Sequence, residues 1–130
     1  MEKKIVQVQE RTQQLIRQLL NVWESSVRAT HDFLSEEEII KIREYVPMAI
    51  ENVEYLIIAE KEFGEPVAFM GIDSNRLEML FLSPEVRGKG LGKQLLQYGI
   101  ETYNIQELTV NEQNPQAVGF YEHMGFQTYK

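Results

Sequence analysis

The sequence predicts one α+β domain with a mainly antiparallel sheet and several amphipathic helices. Two long helical patterns lie in the first half of the chain, and three short apolar runs separated by turn residues occupy its middle. The 130 residues, 43% hydrophobic and 25% charged, have the composition of an ordinary globular protein. Because no repeat and no linker-like stretch divides the chain, residues 1–130 are expected to form a single domain.

Hydrophobic spacing and capping residues predict the first three elements. Roughly alternating apolar residues over 5–8 predict a short strand. From Thr12 onward, apolar residues recur every three or four positions, which is the spacing of one buried helix face. That face comprises Leu15, Leu19, Val22, Trp23 and Val27. A capping-box pattern at Ser35 and Glu38 predicts that a second helix begins there, and Pro47 predicts that it stops just before that residue.

The middle and the end of the chain are predicted from short apolar runs and glycines. Runs at 55–59, 66–72 and 76–82, each bounded by turn residues, predict three antiparallel strands. After Pro84, a glycine-rich loop leads into residues with helical apolar spacing. A short strand over 108–110 and a helix over 116–124 follow, with Gly125 as the left-handed residue that ends the helix. Residues 126–130 are predicted to begin a last strand.

The loop after Pro84 is the clearest sign of a ligand site. Residues 87–93 contain three glycines and three cations, in a chain whose net charge is −7. Glycines let successive backbone amides face one concavity, and a helix that starts there adds its positive dipole end, so the loop favours a diphosphate. A P-loop NTPase would need a hydroxyl residue in place of Gln94, and the dinucleotide-binding fingerprint would need glycine in place of Lys93. Both of these nucleotide-binding classes are therefore excluded.

Composition disfavours several other functions. An acidic chain without a basic face is not expected to bind nucleic acid. Its longest apolar stretches are far shorter than the roughly 20 residues of a membrane span, so no membrane association is expected. The N-terminus lacks the pattern of a signal peptide, which favours a cytoplasmic location. With no cysteine and two histidines, no metal site is expected.

Two motifs resemble the GNAT family of N-acetyltransferases. The hexapeptide Arg87-Gly88-Lys89-Gly90-Leu91-Gly92 is similar to the family's Arg-x-x-Gly-x-Gly segment. About twenty residues later, the family's pattern Asn-x-x-Ala-x-x-Phe-Tyr-x-x-x-Gly-Phe is matched by Asn114, Ala117, Phe120, Tyr121, Gly125 and Phe126. Residues 28–34, which read Arg-Ala-Thr-His-Asp-Phe-Leu, are similar to a small bacterial branch of the family. The resemblance therefore covers nearly the whole chain.

The resemblance implies a fold, a co-substrate and a reaction. The fold would be an α/β/α layered one, with a mixed, mostly antiparallel sheet flanked by helices. Acetyl-coenzyme A would be the co-substrate, without a metal, and a primary amine of a small molecule or peptide would attack its thioester directly in a ternary complex. The residues implied to bind the coenzyme are Leu80, Phe81, Leu82, Arg87, Gly88, Lys89, Gly90, Leu91, Gly92, Lys93, Asn114, Ala117, Phe120 and Tyr121.

The resemblance also implies candidate catalytic residues. Such a reaction needs one group to accept the proton of the amine and another to protonate the departing thiolate. Tyr121 matches the family's general acid, and a phenol with an ordinary pKa of about 10 is protonated at neutral pH. Glu78 is a candidate base on the central strand, the alternative being an exposed strand glutamate. His31 and Asp32 fall in the loop that forms the acceptor wall in this fold, the alternative being that His31 caps or bridges the first two helices.

One departure from the family concerns the end of the chain. Relatives continue beyond the matching Gly-Phe pair with one or two further strands, whereas this sequence stops at Lys130. A C-terminally shortened fold is therefore expected, with an open sheet edge through which two copies could form a homodimer. The alternative function is a shortened module that binds acyl-coenzyme A or a protein partner without turnover. The acidic surface favours a cationic acceptor.

Overall fold

Five strands form one sheet in which spatial order follows chain order. The structure is a computed structural model and describes residues 3–30, 33–110 and 114–127. The strands are β1 (Lys4–Gln7), β2 (Tyr55–Glu60), β3 (Pro66–Asp73), β4 (Arg76–Leu82) and β5 (Glu107–Leu108). Strands β1 to β4 pair antiparallel, and β5 pairs with β4 in parallel. The sheet is thus mixed and mostly antiparallel, as predicted.

Helices cover both faces of the sheet. They are α1 (Gln13–Thr30), α2 (Glu36–Asn52), α3 (Leu91–Tyr103) and α4 (Pro115–His123). Helices α1 and α2 share one core with the sheet, which includes the fully buried Leu19, Ile50 and Phe69. Helix α3 forms the second core around Leu95 and Met70, and α4 packs against it. The predicted α/β/α layering is confirmed. None of the described helices has the length and apolar character needed to cross a membrane.

The prediction that the second helix stops before Pro47 is wrong. Ser35 and Glu38 form the predicted capping box, but α2 continues through Pro47 to Asn52. A proline inside a helix costs about 3 kcal/mol because it removes one hydrogen bond and crowds the preceding turn. Val46 and Ile50 lie on either side of it and are both buried in the core. Since burial stabilises such a side chain by about 1.5–3 kcal/mol, continuing the helix compensates for the proline.

The end of α2 is held by an arginine from a distant part of the chain. Nη1 of Arg11 donates to the carbonyl oxygens of Ile50 at 3.0 Å and Glu51 at 2.9 Å. The same guanidinium donates to the carbonyls of Val53 at 2.5 Å and Glu54 at 3.1 Å. A cation at this position satisfies carbonyls that the helix leaves unpaired and complements the negative end of its dipole.

Smaller differences from the prediction concern the last third of the chain. Strand β5 ends at Leu108 instead of Val110, and α4 begins at Pro115, one residue earlier than predicted. Gly125 follows α4 with φ of +100°, which confirms the left-handed residue expected there. Residues 126–127 are not in a strand, and 128–130 lie outside the described residues.

The short β5 leaves part of β4 without a neighbour. Strands β4 and β5 pair only through Arg76 with Glu107 and Leu77 with Leu108. Beyond these pairs, no described strand covers that edge of β4 over residues 78–82. Backbone donors and acceptors along this edge are therefore available to a ligand.

Candidate active site

A cleft of about 460 Å³ follows the open edge of β4. Its walls come from β4, the glycine-rich loop, the start of α3, helix α4 and the last turn of α1. Its volume lies within the range of about 300–1,000 Å³ that is typical of small-molecule sites. The cleft therefore gathers segments that are far apart in the chain.

A β-bulge in β4 places Glu78 at this cleft. Leu77 pairs with Ile72 and Met79 pairs with Gly71, so Glu78 is an extra residue without a partner on β3. The extra residue changes which face the following side chains occupy. Leu77 is buried in the core with α3, whereas Met79, two residues on, packs toward α1 and α2. Bulges re-aim side chains in this way and are common beside active sites.

Past the bulge, the side chains of β4 alternate between the two layers of the fold. Phe81 packs toward α1 and α2, whereas Leu80 and Leu82 pack toward α3 and α4. All three side chains also line the cleft. The cleft thus reaches both faces of the sheet around the open edge of β4.

The glycine-rich loop forms the basic end of the cleft. Gly88 and Gly90 have φ of +74° and +83°, in the left-handed region that favours glycine. Apart from the adjoining residues, no described atom lies within 4 Å of where a Cβ would stand on either of them. Gly90 is the N-cap of α3, and since none of the described side chains caps this helix, its first backbone amides remain available. Arg87 and Lys93 supply the positive charges that line the described part of the cleft. This geometry suits a diphosphate.

Tyr121 projects from α4 into the same cleft. Its ring packs edge-on against Phe120, with centroids 5.2 Å apart, and against Phe126, with centroids 6.3 Å apart. Burial among these rings raises the pKa of Tyr121 to about 12. The phenol is therefore protonated throughout the neutral range.

Asn114 starts the helix that carries Tyr121. It is nine-tenths buried, and its Oδ1 accepts a hydrogen bond from the backbone amide of Ala117 at 3.2 Å. Pro115 occupies the first helical position, where its missing amide proton is not needed. The Asn-Pro pair thus orients α4, and the Asn114 side chain also reaches the cleft wall.

Glu78 is the acidic group of the cleft. No other carboxylate lines the part of it that the structure describes. The side chain is 43% exposed, and one carboxylate oxygen lies 3.5 Å from Nε of Arg76. Arg76 also contacts Glu107 and Thr109 on the neighbouring segment. Arg76 thereby connects Glu78 to the end of β5.

The structure brings together most of the residues that the sequence analysis singled out. Glu78 and all but two of the predicted coenzyme-binding residues line the cleft. Lys89 is exposed outside it, and the Leu91 side chain is buried in the second core, so only the backbone of Leu91 can face a ligand. His31 and Asp32 lie outside the described residues. Within the described ranges, no group of three His, Cys, Asp or Glu side chains could hold a metal ion.

Several cleft residues were missed by the sequence analysis. They are Ser26, Thr30, Leu77, Met79, Thr109 and Gln116. One signal was present in the sequence, because Ser26 follows Trp23 by three residues and so falls on the apolar face predicted for α1. A polar residue on a buried face is informative. The other missed residues have no such signal.

Comparison with known proteins identifies the class to which this fold and cleft belong. The family described as Acetyltransferase (GNAT) domain matches residues 24–130, so the chain belongs to the GNAT acetyltransferases. The peptidyl-lysine N-acetyltransferase YjaB of Salmonella typhimurium is 41% identical over 108 residues, which are 83% of this chain and 74% of that protein. The YjaB protein of Escherichia coli is 38% identical over 109 residues, which are 84% of this chain and 74% of that protein.

Solved structures agree with this assignment. The solution structure of apo YjaB from Escherichia coli has a TM-score of 0.83 at 35% identity, and the match covers 95% of this chain and 83% of that one. The PaiA N-acetyltransferase of Thermoplasma acidophilum, solved in complex with coenzyme A, shares the fold with a TM-score of 0.76 at 24% identity, over 97% of this chain and 91% of that one. The chain is therefore an N-acetyltransferase of the GNAT family, and the predicted family and fold are confirmed.

Proposed function

We propose that the chain transfers an acetyl group from acetyl-coenzyme A to the ε-amino group of a lysine in a protein or peptide. The YjaB relatives, at 41% and 38% identity, are named peptidyl-lysine N-acetyltransferases. The observation that carries the proposal is the cleft, which holds two cations, a protonated phenol and one carboxylate along an open strand edge. A net charge of −7 also attracts a cationic acceptor.

The basic end of the cleft is the proposed binding site for the diphosphate of the coenzyme. The free amides at the start of α3 and the side chains of Arg87 and Lys93 would bind the diphosphate. Gly88 and Gly90 leave room there for the ligand to approach the backbone. The uncovered backbone of residues 78–82 would bind the extended arm of the coenzyme, as a strand edge binds a peptide.

Tyr121 and Glu78 are the proposed acid and base. The bound coenzyme supplies a thioester carbonyl and a thiolate leaving group. The Tyr121 hydroxyl holds the proton that this leaving group takes, because its raised pKa keeps it protonated. The Glu78 carboxylate accepts a proton from the lysine ammonium, directly or through one water, so that the neutral nitrogen can attack the thioester carbon. The carbon–nitrogen bond forms, the carbon–sulfur bond breaks, and the thiolate takes the Tyr121 proton. The nitrogen then gives its second proton, through water, to the Tyr121 oxygen, which restores the phenol. Arg76, 3.5 Å away, orients the carboxylate.

Mass spectrometry of a peptide substrate tests the proposal. A peptide with a blocked N-terminus and one lysine, incubated with the chain and acetyl-coenzyme A, should gain the mass of one acetyl group on that lysine. The same peptide with arginine in place of lysine should gain nothing. Faster transfer to spermidine than to any peptide would indicate a small-molecule acceptor. Coenzyme binding without transfer to any amine would favour the binding-module alternative.

A further inference from the structure

Ser26 is a buried polar residue that the proposed chemistry does not use. It lies on α1 among Val22, Trp23 and Val27, which all pack into the first core, and only 6% of its surface is accessible. No described side chain or backbone group hydrogen-bonds to its hydroxyl, yet Ser26 lines the cleft. None of the described side-chain oxygen and nitrogen atoms is both fully buried and unpaired, so the Ser26 hydroxyl is not sealed in the core but faces the space of the cleft. The hydroxyl is therefore available to bind a polar group of a molecule in the cleft.

The position of Ser26 indicates which substrate it meets. Helix α1 covers the face of the sheet toward which Met79 and Phe81 point. Tyr121 and the start of α3, with the glycine-rich loop before it, belong to the opposite layer. A coenzyme bound to that loop therefore reaches the open edge of β4 from the side of α3 and α4. A molecule that contacts Ser26 approaches the same edge from the α1 side, which is where the second substrate must enter.

The α1 side of the cleft has the chemistry to recognise an amine on an apolar stem. Met79 and Phe81 present apolar surface there, and Ser26, Thr30 and Glu78 supply oxygen atoms. Thr30 lies one turn after Ser26, and its hydroxyl donates to the Ser26 carbonyl at 2.8 Å, which steadies the last turn of the helix. A lysine side chain matches this arrangement, because its methylene groups prefer apolar contacts while its nitrogen needs hydrogen-bond acceptors.

We propose that Ser26 binds the acceptor amine, with its Oγ accepting a hydrogen bond from the amine N–H. This inference rests on the proposed function, which it deepens by assigning the α1 side of the cleft to the acceptor. Ser26 holds the nitrogen at the edge of β4, and Glu78 accepts its proton. The assignment predicts an effect on the acceptor and none on the coenzyme.

Steady-state kinetics of Ser26→Ala on the full chain tests the assignment. Loss of one hydrogen bond to the amine should raise the KM of a lysine peptide about 3–10-fold, whereas the KM of acetyl-coenzyme A stays the same. Ser25→Ala is the matched control, because Ser25 is the exposed neighbour on the same helix and does not line the cleft. It should leave both constants unchanged. An unchanged peptide KM in Ser26→Ala would overturn the assignment, and so would an equal rise in both KM values with a lowered melting temperature, which indicates a packing role.

A binding experiment separates this inference from the proposed function. The ¹⁵N-labelled chain, saturated with coenzyme A, is titrated with Nα-acetyl-lysine methylamide while amide shifts are followed. Saturable shifts at the Ser26 and Thr30 amides, weakened in Ser26→Ala, support the assignment even if no peptide is acetylated, in which case the proposed function alone fails. Absence of shifts at these two amides would overturn the assignment even if lysine is acetylated.

Discussion

Replacing Tyr121 by phenylalanine removes one hydroxyl and leaves the surrounding packing intact. The ring contacts with Phe120 and Phe126, at 5.2 Å and 6.3 Å between centroids, do not involve the oxygen. No described residue forms a hydrogen bond with that hydroxyl, so the variant leaves no partner unsatisfied. We therefore expect the free energy of unfolding to change by less than about 0.5 kcal/mol, and coenzyme affinity to be retained.

The expected loss of rate follows from the protonation state of the phenol. With the pKa raised to about 12, roughly one Tyr121 in ten thousand is ionised at pH 8, so nearly every molecule carries the proton to be donated. Removing a positioned general acid lowers the rate about 10²–10⁴-fold. We expect kcat to fall by at least about 100-fold, which corresponds to roughly 2.7 kcal/mol, with little change in either KM.

The pH profile gives the same reasoning a second test. The acid must be protonated to act, so its contribution is present below the folded pKa of about 12 and is lost as the pH rises through that value. The ratio of wild-type to Tyr121→Phe rates should therefore stay constant from pH 7 to about pH 10. A tyrosine with the ordinary pKa of about 10 would instead lose half of its effect at that pH.

Because the chain has no cysteine, the thiol that the reaction releases can be measured without background from the protein. A thiol-reactive chromogen detects only the coenzyme thiol that the reaction releases, because the chain itself has no thiol. Tyr45→Phe is the matched control, since this tyrosine is 64% exposed on α2 and lies outside the cleft. Rates of Tyr121→Phe within threefold of wild type would refute the acid role. Loss of coenzyme affinity with an unchanged kcat would show that Tyr121 only binds.

Three further substitutions test the loop and the scaffold. Gly90→Glu places a side chain at φ of +83° and a negative charge in the basic end of the cleft. The Kd of acetyl-coenzyme A, measured by calorimetry, should therefore rise at least about tenfold. An unchanged Kd would exclude the loop as the diphosphate site. Arg11→Ala removes the guanidinium that binds the carbonyls at the end of α2. Denaturant unfolding should show the free energy of unfolding lowered by about 2–3 kcal/mol. A decrease below about 0.5 kcal/mol would contradict this role of Arg11. Gly119→Ala, at an exposed position within α4 with open space around its Cβ, should stabilise the fold by about 0.5–1 kcal/mol and leave the kinetics unchanged.

Local patterns in the sequence were sufficient for most elements and for the family. Helix α1, strands β2 to β4 and the left-handed Gly125 follow from spacing and turn residues, because hydrophobic periodicity records which face of an element is buried. The two GNAT motifs are contiguous segments whose glycines, cations and aromatic residues act through their immediate neighbours. Such patterns identify the elements and the family without knowledge of which elements pack together.

Contacts between distant segments decided the remaining features, and no local pattern records them. Helix α2 passes through Pro47 because residues on both sides of it are buried against α1 and the sheet. The bulge at Glu78 exists only in the register between β3 and β4, and the open edge exists because β5 pairs with two residues of β4. Ser26 belongs to the site because α1 packs beside that edge. In each case the deciding energy comes from burial and pairing between residues far apart in the chain, which tertiary structure alone brings together.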